Sequence, residues 1–425
     1  MMKTYLTLLQ VLLCFSGFAQ KQYLQCGQIL DVETGKMMAE KTLVVENSRI
    51  ASVLDGYREG NSEDTTVDLR SMTVLPGFID MHVHIESEIS PDAYIKRFTM
   101  NPADVAFEAA VYAERTLMAG FTTVRDLGGT GVNIALRKAI SRGLTPGPRI
   151  FTAGKAIGTT GGHADPTNGR SIELMGNPGP KEGVVNSPED GRKAVRQRYK
   201  EGADVIKITA TGGVLSVAKS GQNPQFTIEE IRAITETADD YGMLTAAHAH
   251  GDQGMQRAIK GGIRTIEHGT LMSEATMELM KEYGAYMVPT ISAGKEAARN
   301  AEKPGFFPPV VAQKAREIGP QIQNTFAKAY KRGVPIAFGT DAGVFPHGTN
   351  AQEFGYMVEA GMPAEEALRA ATITNANLLG MGDDLGQLKA GYLADIIAVE
   401  GNPLSDVGVL KEVRFVMKEG RIYKQ

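Results

Sequence analysis

LPGFIDMHVH, residues 75–84, reads as a buried β-strand that ends in two histidines one residue apart. Pro76 and Gly77 punctuate its start, and the apolar run that follows fits a strand covered on both faces. Side chains two apart on a strand project to the same face, so His82 and His84 point together and can share one cation. Taken alone, the pair is equally compatible with two polar core histidines. Its meaning depends on what stands at the ends of the other strands.

Seven further runs of the same kind follow: TTVRDL (122–127), RIFTAG (149–154), VIKITAT (205–211), LTAAHAH (244–250), TIEHG (265–269), YMVPTI (286–291) and PIAFGTDA (335–342). Several are followed by amphipathic segments such as 228–241, the alternation that builds βα units and a parallel sheet. Eight such units predict an α/β fold with a (β/α)8 TIM-like barrel over residues 76–380. The flanks differ. Residues 20–75 and 381–425 hold short apolar runs broken by Gly, Asn and Asp, and are predicted to form one small β-sandwich domain from both chain ends. The Gly-, Pro- and Asn-rich stretch 158–190 is longer than a usual βα loop and is a candidate lid or substrate-contact segment. No period of 20–50 residues recurs, which excludes a solenoid.

Residues 1–19 read as a signal peptide: Lys3, an apolar run from Leu6 to Phe18, and small residues at Gly17 and Ala19. An exported protein in the periplasm or outside the cell is expected, with no membrane span in the mature chain. Of the two cysteines, Cys14 would leave with the signal, so Cys26 has no partner for an internal disulfide. Cysteine thiolates therefore supply no metal site. The net charge of -4, without a dense Lys/Arg cluster, excludes nucleic acid as a partner. Homo-oligomerisation is left open.

Catalytic groups of such barrels gather at the C-terminal ends of the strands. There stand His82 and His84, Lys207, His248 and His250, His268, and Asp341. His248 and His268, on adjacent strands, would complete a second metal site. Asp341 would bind the first metal and carry the proton of a shared hydroxide to the leaving amine. Lys207, inside an apolar run, must lose its charge or find an anion. Carbamate formation with CO2 answers that need, and so does reaching out to a substrate carboxylate; spacing does not choose between them.

LPGFIDMHVH, the Lys in VIKIT, the later strand-end histidines, GTDAG (339–343) and LGQLKAGYLADIIAVEGNPL (385–404) together resemble the amidohydrolase superfamily over nearly all of the mature chain. More narrowly, the chain is similar to the imidazolonepropionase-related branch that includes prolidase-like dipeptidases and carboxypeptidases. The resemblance implies two divalent cations, zinc in type, with Lys207 as N6-carboxylysine bridging them. It also implies His82, His84 and Asp341 on one metal and His248 and His268 on the other. Imidazolonepropionases share the HxH pair but hold one metal and lack the bridging lysine, so Lys207 argues against that activity.

His163, His250 and Arg125 are candidate substrate contacts, each with a plain alternative: a surface loop histidine, a hydrogen-bonded histidine at the mouth, and a structural partner of Asp126. The expected function is hydrolysis of an amide bond in a dipeptide (Xaa-Pro type or similar) or an N-acyl amino acid. Hydrolysis of a cyclic amide such as a hydantoin, dihydropyrimidine or lactam is the alternative that Lys207 does not separate. A non-catalytic metal-binding scaffold is the reading from another class, and Asp341 speaks against it, because a pure binder needs no proton carrier.

Overall fold

A computed structural model describes residues 20–425. The signal-peptide reading of residues 1–19 lies outside the described residues. The strands are β1 (Lys21–Asp31), β2 (Lys36–Glu46), β3 (Arg49–Asp55), β4 (Thr65–Pro76), β5 (Phe78–Val83), β6 (Phe121–Asp126), β7 (Arg149–Thr152), β8 (Val205–Thr209), β9 (Leu244–Ala249), β10 (Thr265–His268), β11 (Tyr286–Val288), β12 (Ile396–Val399), β13 (Val413–Lys418) and β14 (Arg421–Lys424). Among the described residues no helix is long and apolar enough to cross a membrane.

Strands β5 to β11 pair in parallel as two sheets, β5-β6-β7 and β11-β10-β9-β8. Single parallel bridges join them: Ile157 with Ile208 on one side, and Met287 with Ile336 and Val83 with Ala342 on the other. The chain between Ile336 and Ala342 thus lies between β11 and β5, an arrangement consistent with a (β/α)8 barrel. The eighth expected strand, PIAFGTDA, is bridged at Ile336 and Ala342 and keeps backbone bonds to both neighbours, but it is not a continuous strand, and Asp80 interrupts it at Thr340. The buried Asp80 Oδ1 accepts from the backbone N–H of both His82 and Thr340 (3.0 Å each), so a side chain replaces backbone acceptors in the ladder. Its Oδ2 accepts from Thr340 Oγ1 at 2.6 Å and Asn350 Nδ2 at 2.8 Å.

Helices cover the outside of these strands. The helix Ile228–Asp240 starts at a capping box in which Thr227 and Glu230 satisfy each other's backbone amides, as its sequence pattern suggests. Below the parallel strands, Phe78, Phe121, Phe338 and Phe354 pack with ring centroids 4.4–5.8 Å apart and close the bottom of the core.

The two chain ends meet in one seven-stranded sheet of order β14-β13-β12-β4-β1-β2-β3. The β-sandwich domain was expected from both chain ends, and its strands share one continuous hydrogen-bonded sheet because the long strand β4 serves both halves. Its residues Thr65–Val74 pair in parallel with β1, and Thr73–Pro76 pair antiparallel with β12. Leu24, Leu43, Val67, Ile396 and Phe415 form part of the sheet's own core. Gly77 then turns the chain directly into β5. A Cβ there would lie 2.2 Å from Thr122 Oγ1, so only glycine lets the two strands approach.

Candidate functional site

The loops that follow the parallel strands enclose a cavity of about 1020 Å³, lined by His82, His84, Lys207, His248, His250, His268 and Asp341 among others. Strand alternation aims His82, His84 and Lys207 at it. His268 is aimed differently. Thr265 and Glu267 share one face of β10, so His268 would point away, but its backbone adopts a left-handed φ of 71° and turns it to the mouth. Asp341 (φ 59°) and Thr290 (φ 52°) are bent in the same way. Left-handed backbone at non-glycine residues costs roughly 1–3 kcal/mol each and concentrates at functional sites.

The hydrogen bonds fix which imidazole nitrogens are free. His82 Nδ1 lies 2.9 Å from Glu267 Oε2, and His84 Nδ1 lies 2.7 Å from the Gly128 carbonyl oxygen. Both oxygens only accept, so both Nδ1 atoms donate and both Nε2 lone pairs are left for a cation. His248 is turned the other way: its Nε2 lies 3.1 Å from the Gly212 carbonyl, which leaves Nδ1 free. His268 Nδ1 and His250 Nδ1 meet the hydroxyls of Thr290 and Thr270 at 2.7 and 2.8 Å.

Asp341 Oδ1 lies 3.5 Å from His82 Nε2 and 3.4 Å from His84 Nε2, and this buried oxygen has no hydrogen-bond partner. A carboxylate oxygen facing two imidazole lone pairs is repulsive unless positive charge stands between them. Burial also holds the imidazoles neutral: His82, His248 and His268 fall well below the ordinary histidine range, His84 to about 4, and His163 and His250 to about 3. Neutral imidazole is the form that binds metal. The donor set therefore fits a divalent cation. Two groups have ligand atoms within 4.8 Å of one another: His82, His268 and Asp341, and His248, His250 and His268.

Lys207 is buried, and its Nζ makes no hydrogen bond or ion pair with any described residue. Burial pulls its ammonium down, against the pull of Glu267 and Asp341. Burial pushes the Asp341 carboxyl up, against the pull of Lys207.

Of the candidate substrate contacts, His163 reaches the cavity. Its ring stacks on His248 with centroids 4.3 Å apart and an interplanar angle of 27°, and its Nδ1 is buried without a partner. Gly213 makes room for it, since a Cβ there would lie 2.2 Å from the His163 ring. His250 joins the His248 and His268 group. Arg125 meets neither reading, substrate contact or partner of Asp126. It is fully buried, it does not line the cavity, and all three branches of its head are committed: Nε to the Met81 carbonyl (2.7 Å), one terminal nitrogen to Thr265 Oγ1 (3.1 Å) and the other to Glu267 Oε1 (2.9 Å). Glu267, which the sequence reading passed over, thus links Arg125 to His82. His347 stands apart, stacked on Tyr112 with Nε2 3.1 Å from the Ser87 carbonyl.

Lys314, in the helix Pro309–Ile318, was also missed. Its Nζ donates to the carbonyls of Gly213 (2.7 Å), Ser216 (2.6 Å) and Ala218 (2.8 Å), pinning the loop after β8 over the cavity.

The profile of the amidohydrolase family matches residues 73–423. Ochratoxinase from Aspergillus niger is 35% identical over 376 residues, covering 84% of this chain and 76% of the relative. An imidazolonepropionase from Caldanaerobacter subterraneus subsp. tengcongensis is 26% identical over 409 residues, covering 85% of this chain and 86% of its own. Among solved structures, a Xaa-Pro dipeptidase with methionine bound in its active site superposes with a TM-score of 0.93 at 50% identity, covering 96% of this chain and 100% of that one.

Proposed function

The chain belongs to the amidohydrolase family and is a hydrolase acting on amide C–N bonds; from that premise we propose that it is an exported dipeptidase-like enzyme with two divalent cations, zinc in type. Its substrates on this reading are dipeptides of Xaa-Pro type or similar, or N-acyl amino acids. Residues 1–19 are then the signal, 76–380 a (β/α)8 barrel, and 20–75 with 381–425 the accessory β domain. The protein acts in the periplasm or outside the cell.

The observation that carries the metal reading is Asp341 Oδ1, a buried carboxylate oxygen with no partner between the free Nε2 atoms of His82 and His84. These three would hold one cation, and His248 through Nδ1 with His268 would hold the other, with His250 beside them. Lys207, as a carbamate, would stand between the two sets of ligands; its side chain is buried and its Nζ has no hydrogen-bond partner among the described residues, which supports that modification. When bound, such cations supply a nucleophile from water at neutral pH and polarise the amide carbonyl.

The protein's own groups do the rest. Glu267 fixes the His82 tautomer and Gly128 that of His84. Asp341, its carboxyl raised by burial, holds the proton taken from water and returns it to the leaving amine. The similarity to a Xaa-Pro dipeptidase at 50% identity supports the peptide substrate.

Metal analysis of purified protein together with turnover on a Xaa-Pro dipeptide library tests the proposal. Zinc-dependent release of the C-terminal amino acid is expected. Failure on every linear amide, with turnover of hydantoins or dihydropyrimidines, would replace the peptidase reading by the cyclic-amide one.

A further inference from the structure

Two arginines from different loops meet at the cavity and share no carboxylate. Arg97 lies in the helix Ala93–Thr99, in the loop after β5, and Arg170 lies in the 158–190 loop after β7. Both line the cavity that holds His82, Lys207 and Asp341. Each guanidinium rests on an aromatic ring, Arg97 5.4 Å from the Tyr94 centroid and Arg170 4.6 Å from the Phe98 centroid. Stacking of this kind holds the planar head while leaving its N–H edge free.

Apart from Asp341, which faces His82 and His84, the acidic residues that line the same cavity are already engaged. Glu108 pairs with Lys96 (3.3 Å) and Glu88 with Arg115 (3.5 Å). Glu86 accepts from the backbone amides of Thr130 and Asn133 (2.7 and 2.6 Å), and Glu182 from that of Gly179 (3.0 Å). Among the described residues nothing within ion-pair distance answers Arg97 or Arg170. Arg170 stacks on Phe98, the residue that follows Arg97 in its helix, so both cations stand at the same wall of the cavity; burial and then the Arg97 charge pull the Arg170 guanidinium down. An anion between them removes that repulsion and gains charge-assisted hydrogen bonds from both.

We infer that Arg97 and Arg170 together bind a carboxylate of the substrate, which makes the preferred substrate a linear amide bearing a free carboxylate. The inference rests on the amide-hydrolase reading and deepens it. That carboxylate has two sources, the α-carboxylate of the leaving amino acid or an acidic group on the acyl side.

The test is steady-state kinetics of the metal-loaded protein and of Arg97→Gln/Arg170→Gln on Ala-Pro, Ala-Pro-amide, Asp-Pro-amide and Asn-Pro-amide. The double substitution should collapse the kcat/KM preference for the carboxylate-bearing member of one pair by about 30-fold, through KM, as expected for losing charge-assisted hydrogen bonds. Collapse in the Ala-Pro pair assigns the leaving amino acid, and collapse in the Asp/Asn pair assigns the acyl side. Calorimetric titration with L-methionine and succinate against L-methioninol reads the same contrast without turnover. A wild type inert on every amide would therefore end the peptidase reading, while calorimetry still decides this one. Equal preferences and equal affinities in wild type and double variant would overturn it.

Discussion

Replacing Glu267 alone should damage the fold more than replacing it together with Arg125, although the double change removes more contacts. Glu267→Leu leaves the Arg125 guanidinium fully buried with no anion, and breaking a buried pair from one side costs about 3–5 kcal/mol. Adding Arg125→Met removes the stranded charge. What then remains unpaired is the Met81 carbonyl, the Thr265 hydroxyl and the His82 Nδ1–H. The last two lose Glu267 in both variants, so the double adds only the Met81 carbonyl, at about 1–3 kcal/mol, while it removes the stranded charge at about 3–5 kcal/mol, and should lie about 2 kcal/mol above the single. Zinc affinity should behave differently. Both variants lose the acceptor that fixes the His82 tautomer, and loss of such a partner lowers affinity by about 10–100-fold. The assay is the denaturant midpoint of metal-free protein alongside competitive zinc titration against a chelator. A double variant that binds zinc as tightly as wild type would show that Glu267 does not position His82. A single variant as stable as the double would show that the pair is not a charge unit.

Asp341→Asn should lower kcat by about 10²–10⁴-fold, the usual worth of a positioned proton carrier, and reduce bound metal at the His82 side, read by metal analysis. Lys207→Met should reduce metal content and turnover together, and intact-mass measurement of wild-type protein prepared in bicarbonate should show the mass of one added CO2. Lys314→Met leaves the carbonyls of Gly213, Ser216 and Ala218 without their donor; water can reach the last two, so the cost should be about 1–3 kcal/mol for the buried one, with faster hydrogen exchange across residues 212–221. Burial pushes the Cys26 thiol up to about 12, so between pH 7 and 9 the folded chain lacking residues 1–19 should not react with a thiol reagent, and should react on unfolding.

The histidine pair and the strand-end residues were legible because strand alternation and the polarity of βα units are local rules that fix where such groups point. Residues whose role depends on a distant partner were not. Arg125 and Glu267 sit 142 positions apart, and each looks like a polar interruption of its own strand. The signal was there: two opposite charges inside buried runs demand one another, by the same reasoning that singled out Lys207. Lys314 gave no signal at all. It sits in an ordinary amphipathic helix, and its partners are backbone carbonyls, which carry no residue type. The eighth strand, bridged only at Ile336 and Ala342, departs from expectation for a third reason, since nothing in PIAFGTDA foretells that a carboxylate from another strand accepts the Thr340 N–H.

The strand β4 serves both halves of the terminal sheet, and that imposes an order of events on the growing chain. Its first ten residues find β1 soon after synthesis, whereas Thr73–Pro76 wait for β12, more than three hundred residues later. Until then β4 presents an apolar, unpaired edge beside the first barrel strand, a template for pairing with another chain. Chains that end before residue 396 should therefore aggregate through this edge even if their parallel strands have formed. The last thirty residues close the molecule as well as complete it.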